Sequence, residues 1–116
     1  MEIVRFDEAV SNPVWAFGSD FKIGPLTGPD SHVRVQVMHL PAGGGIGFHA
    51  AASRQLLAVV TGTGWVSGGD RMQREVGPGL AAVWERGEGH QTGTDSGLTA
   101  ICVEGVFEVT APSDAP

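Results

Sequence analysis

Apolar and polar residues alternate along HVRVQVMHL, residues 32–40, with Val33, Val35 and Val37 on one face and Arg34 and Gln36 on the other. A period of two predicts a half-buried strand there. PAGGGIG ends it as a loop. QLLAVVT follows as a nearly continuous apolar run, closed by Gly62 and Gly64. Trp65, Val66 and Ser67 then turn at Gly68-Gly69-Asp70 into RMQREV, which has the turn chemistry of a hairpin. The chain turns again at GPG (77–79) into LAAVW and at ERGEG into HQTGT. Asp95-Ser96-Gly97 leads into LTAICVEG, and VFEVT comes after it. Strand-sized runs thus recur roughly every ten residues, which predicts an all-β sandwich or barrel. No amphipathic helix shows; only DEAV near the start has the look of a helical turn.

The expected organisation is one domain. Residues 1–30 carry apolar clusters broken by Pro13, Gly18, Gly24, Pro25 and Gly28, and read as an arm or edge strands packed on the barrel. Residues 31–110 form the barrel, and 111–116 form a disordered tail. Glycine and proline together supply 25 of 116 residues, but the glycines lie between apolar runs and so read as turns.

The net charge is −6, with one lysine, Lys22, and no basic run. Nucleic-acid and anionic-lipid partners therefore lack their electrostatic footprint. Cys102 is the one cysteine, which excludes an intrachain disulfide; within LTAICVEG it reads as a buried, inert thiol. The first residues have no apolar signal core, and no run approaches the roughly 18 apolar residues of a spanning helix, so the expected location is cytoplasmic.

Two histidines sit in glycine-framed segments. The first runs Gly43, His49, Gln55, Gly62; the second runs Gly79, Glu85, Gly87, His90, Thr94. These segments resemble the paired motifs of the cupin superfamily, G-x5-H-x-H-x3,4-E-x6-G and G-x5-P-x-G-x2-H-x3-N. Both frames are kept without insertion. Gly43, His49, Gly62, Gly79, Gly87 and His90 match, while Ala51, Gln55, Glu85 and Thr94 depart (family His, Glu, Pro and Asn). The resemblance implies a single-domain jelly-roll β-barrel of two antiparallel sheets. It implies that positions 49, 51, 55 and 90 face one mouth of the barrel and bind a divalent metal (Zn, Ni, Fe, Mn or Cu). It also implies a homodimer.

The departures bear on the chemistry. Ala51 has no donor atom, and Gln55 offers a neutral amide where the family has a carboxylate. His49, Gln55 and His90 remain as a metal set; two imidazoles suit Zn, Cu, Fe or Ni. An all-neutral set leaves the ion its full charge, which favours polarising a carbonyl or activating water. It departs from the two-histidine, one-carboxylate pattern of non-heme iron oxygenases. The competing reading is a barrel without metal, with both histidines as hydrogen-bonded interior residues and Gln55 as their partner. His39 is a substitute ligand or a polar strand end, and His32 reads as surface. Glu85 is a candidate acid or base, with Glu88 a weaker one, against the plainer reading of solvated turn charges. Phe48, Ala51, Thr92, Thr94, Trp84 and Met38 are candidates to line a ligand pocket. Two functions stay open. One is a metal-dependent protein acting on a small polar metabolite by isomerisation, hydrolysis or oxygen-dependent cleavage. The other is a non-catalytic module that binds a small ligand or dimerises.

Overall fold

The computed structural model describes residues 1–115. Among them, eleven strands form β1 (Glu2–Arg5), β2 (Asn12–Val14), β3 (Phe21–Ile23), β4 (His32–Leu40), β5 (Gly45–Ala50), β6 (Arg54–Gly62), β7 (Gly64–Ser67), β8 (Arg74–Val76), β9 (Leu80–Trp84), β10 (Gly89–Gly93) and β11 (Leu98–Val106). A five-stranded sheet runs β1-β9-β6-β11-β4, and a four-stranded sheet runs β5-β10-β7-β8. Every pairing is antiparallel. The all-β jelly-roll expectation is met. The DEAV segment is a single 3-10 turn, Glu8–Val10, and no helix among the described residues is long and apolar enough to cross a membrane.

The apolar run of β6 is buried on both faces. Leu57 and Val59 join Val66, Ala82, Trp84, Ala100 and Cys102 between the sheets. Leu56 and Ala58 face outward and are covered with Val4, Ala81, Val83, Val103, Phe107 and Ala111 in a second cluster. Because the five-stranded sheet is sandwiched in this way, its central strands lose the alternation that a solvated face would impose. On the edge strand β4, Met38 and Leu40 turn inward against the barrel core. Val35 and Val37 turn outward and stay 58% and 54% exposed. The valine stripe read from the sequence is therefore the outer face of β4, where Val33 packs on the second cluster and Val35 and Val37 are left uncovered among the described residues.

The N-terminal thirty residues divide. Strand β1 is an integral edge of the main sheet on β9, while β2 and β3 form a separate hairpin. The tail expectation is corrected for residues 111–115; Pro116 lies outside the described residues. Ala111 is buried, Val4 and Ser113 form a bridge, and Asp114 N–H donates to the Ile3 carbonyl at 2.9 Å. Those bonds occupy the free edge of β1 and hold the segment down.

Two glycines of the motif frames sit at left-handed turns. Gly62 has φ +81° and Gly79 has φ +90°. Strands β4 and β5 leave the same turn, residues 41–44, yet belong to different sheets. That turn is pinned to the end of β10: Gly43 N–H donates to the Asp95 carbonyl at 3.0 Å and Thr94 N–H to the Gly44 carbonyl at 3.1 Å.

Candidate functional site

His49 and His90 lie directly opposite one another on β5 and β10. A register shift follows: Thr92 pairs with Ile46, so β5 carries one extra residue between Ile46 and His49. A bulge of this kind takes a residue off the ladder and re-aims its neighbours. The Gly47 carbonyl accepts a hydrogen bond from His49 Nδ1 at 2.7 Å. A carbonyl only accepts, so the proton sits on Nδ1 and the neutral ring keeps its lone pair on Nε2.

The two imidazole centroids are 4.3 Å apart, tilted 52°. On its other side His90 meets the Trp84 ring at 4.8 Å. Trp84 is buried, with its indole N–H donating to the Ser67 carbonyl at 3.1 Å. His90 is 3% exposed, whereas His49 faces solvent. Burial pushes the His90 pKa below 6.5, and the neighbouring His49 adds to the effect. The carbonyls of Glu88 and His49 and the Glu88 carboxylate oppose it. The ring is therefore neutral at pH 7 and able to donate an electron pair. Among the described residues no atom hydrogen-bonds its buried Nδ1.

Gln55 lies across from Trp84 on the neighbouring strand, and its amide nitrogen is 2.9 Å from Cys102 Sγ. Burial raises the Cys102 pKa, against the hydrogen bond from Gln55, so the thiol is protonated. A longer row emerges that sequence patterning had not joined: Arg34 pairs with Glu104, Glu104 with Gln55, and Gln55 with Trp84. Residues in register across a sheet share a face. The Arg34–Glu104 ion pair (2.8 Å) thus lies on the same face as Gln55, at the sheet edge, where the Arg34 side chain is 71% exposed.

The remaining candidates sort by face. Thr92 is buried opposite Val66 and faces the interior; Met38 packs on the same core. Ala51, just past β5, is buried, with its backbone bonded to Glu88 and Gly87. Three candidates turn to other partners. Phe48 turns to the opposite face from His49, where it covers Gly89 and lies 3.8 Å beneath the Arg71 guanidinium. Thr94 uses its hydroxyl to brace a turn, donating to the Thr63 carbonyl at 2.6 Å and accepting from Gly97 N–H at 2.9 Å. Glu85 directs its carboxylate to Arg54 at 3.1 Å and is largely exposed, so it is not an acid or base beside the histidines. Glu88 is the carboxylate whose charge His90 feels. Its Oε1 accepts from Glu85 N–H and its Oε2 binds the Met1 amine. Its place two residues before His90 was the available signal.

The donor set tests the expected metal. His49 has the tethered Nδ1 and open Nε2 that ligating histidines show, and His90 is neutral beside it. Among the described residues no third His, Cys, Asp or Glu joins them. Two imidazoles in contact, with the Gln55 amide in the adjoining row, are thus the donors the chain offers a transition ion.

No family model and no curated protein matches the chain. Solved structures do. A double-stranded β-helix protein from Klebsiella pneumoniae matches with TM-score 0.57 and 18% identity, over 97% of this chain and 86% of that one. A cupin superfamily protein from Desulfitobacterium hafniense matches with TM-score 0.58 and 9% identity, over 68% and 72%. A salicylate 1,2-dioxygenase from Pseudoaminobacter salicylatoxidans, solved as an adduct with gentisate, matches with TM-score 0.58 and 14% identity; 88% of this chain aligns to 24% of that one. Identities this low carry the fold and not the reaction. With its opposed sheets and its two histidine-bearing strands paired in register, the chain has the cupin fold.

Proposed function

We propose that the chain binds a divalent transition metal through His49 and His90 and presents it to a small polar ligand between the sheets. The observation that carries this reading is the bond from His49 Nδ1 to the Gly47 carbonyl, which leaves Nε2 as the ring's lone-pair atom beside a neutral His90. Gln55 is the proposed third contact, through its amide oxygen. A bound ion of this kind polarises a carbonyl or lowers the pKa of a bound water. The residues themselves do the rest. The Gly47 carbonyl sets the His49 tautomer. Trp84 packs against His90 and shields it from water. Arg34 and Glu104 bring charge to the same face at the sheet edge. Zn, Cu, Ni and Fe suit two imidazoles, and Mn suits them least.

A second reading is a metal-poor module that binds a small ligand directly. It is favoured by the missing third anionic donor and by the unpartnered Nδ1 of His90, which a ligand hydroxyl or carbonyl would satisfy. One experiment separates the two. Protein purified without a histidine tag is analysed for metal by mass spectrometry, before and after incubation with Zn, Ni, Mn, Fe and Cu salts. Near-stoichiometric metal that is lost in His49→Ala and in His90→Ala supports the first reading. Ala51→His then tightens binding by supplying a further imidazole. Metal that stays substoichiometric and indifferent to both substitutions removes the first reading and leaves the second.

The partner we propose for the outer valine face of β4 is a second copy of the chain. Val35 and Val37 are exposed there, apolar side chains of the kind that mark an association surface.

A further inference from the structure

At the Gly93 end of β10, away from His90, lies a cleft of about 830 Å³, lined in part by Trp65, Glu75, Asp95, Gln73 and Leu80. That volume is within the range of small-molecule sites. Trp65 forms one wall. Its half-buried indole packs on Gly93, where a side chain would be blocked: a Cβ there would come within 2.6 Å of Nε1, Cε2 and Cζ2. Glycine at 93 is thus what lets the ring lie against the strand. Glu75 is the cross-strand partner of Trp65, which places the carboxylate beside the ring. Asp95 is positioned from the other side, its carbonyl accepting from Gly43 N–H and the preceding Thr94 hydroxyl braced on Thr63. Neither carboxylate has an ion-pair partner among the described residues. The lining contains no Lys, Arg or His. Arg74, next to Glu75, lines a different cleft, with Met1 and Glu88.

An aromatic wall, two unpaired carboxylates and an apolar floor of Leu80 and Val76 select for positive charge spread over an apolar surface. An anion would meet only like charge. A neutral apolar ligand would strip water from two carboxylates without compensation. An ammonium ion carrying alkyl groups satisfies all three elements, since a cation attracted to an indole face gains further from the carboxylates. We infer that this cleft is a second ligand site, separate from the histidine pair, and that it takes a small organic ammonium ion.

The test uses tetramethylammonium chloride as probe, with sodium chloride, calcium chloride and tert-butanol as controls. The readout is the ¹H–¹⁵N spectrum, in which the Trp65 indole N–H is resolved from those of Trp15 and Trp84. The expected result is a saturable shift of the Trp65 indole and of the Gly64 and Gly93 amides with tetramethylammonium alone. Trp65→Leu abolishes saturation. Glu75→Gln combined with Asp95→Asn weakens binding about fivefold or more, while His49→Ala leaves it unchanged. The same spectra show that each variant is folded. Equal shifts with tert-butanol would make the cleft merely apolar, and equal shifts with calcium would make it an inorganic cation site. Either outcome, or a linear response with no saturation, overturns the inference.

Discussion

Gly62→Ala and Gly87→Ala form a matched pair, one in each histidine-bearing segment. Both backbones are left-handed, with φ +81° at Gly62 and +84° at Gly87. That conformation alone costs an alanine about 1–2 kcal/mol. The surroundings differ. A Cβ at Gly87 meets nothing within 4 Å. A Cβ at Gly62 runs into the Gly97 carbonyl oxygen and comes within 2.7 Å of Leu98 Cα. These are backbone atoms of the cross-strand partner, since Leu98 pairs with Gly62, so no side-chain rotation relieves the clash. Overpacking of this kind adds about 1–3 kcal/mol. The expected losses are therefore about 1–2 kcal/mol for Gly87→Ala and about 2–5 kcal/mol for Gly62→Ala. For a domain of this length, about 4 °C of Tm corresponds to each kcal/mol. Thermal unfolding followed by circular dichroism should then show drops of about 4–8 °C for Gly87→Ala and about 8–20 °C for Gly62→Ala. Equal drops in the two variants would refute the close approach of the β6 turn to β11, and with it the way Gly62 closes the barrel.

Burial depresses the His90 pKa below 6.5, so the unfolded ring takes up its proton before the folded one. The resulting stability is complete above about pH 6.5 and is lost as pH falls toward the lowered folded value. Melting temperature should decline between about pH 7 and pH 5, with a shallower decline in His90→Gln; a level profile in the parent protein counts against burial of a neutral ring. Cys102 is buried with a raised pKa. Its reaction with a thiol reagent should be slow in native protein and fast in denaturant, and rapid native labelling would place it elsewhere. If the valine face joins two copies, Val37→Lys should halve the mass seen by light scattering while leaving the circular dichroism spectrum intact; an unchanged mass excludes that face.

The fold could be read from the chain because its punctuation is local. Gly62, Gly79 and Gly87 sit at positive φ, and the apolar runs between the turns became strands. The pairing of His49 with His90 also followed from motif frames carried on neighbouring strands. Which way each side chain points was harder to read. Phe48 was expected beside His49, but adjacent strand residues face opposite ways, and the bulge after Ile46 changes the count locally. Thr94 kept the parity of His90, yet lies beyond the end of β10, where turn geometry claims its hydroxyl. The valines of β4 obeyed alternation, and only the identity of the buried face was hidden, because Met38 and Leu40 continue the polar row of Arg34 and Gln36. The row from Arg34 to Trp84 joins residues fifty apart in the chain, a relation that only pairing register supplies.

The split of β4 and β5 between two sheets sets how a molecule reaches His49. Along that flank β4 and β5 are edge strands that share no ladder, joined at a turn anchored to Asp95 and Thr94. His49 itself is solvent-exposed. Under the proposed metal site, exchange at this imidazole would accordingly be rapid, and discrimination among ligands would rest on the side chains around it.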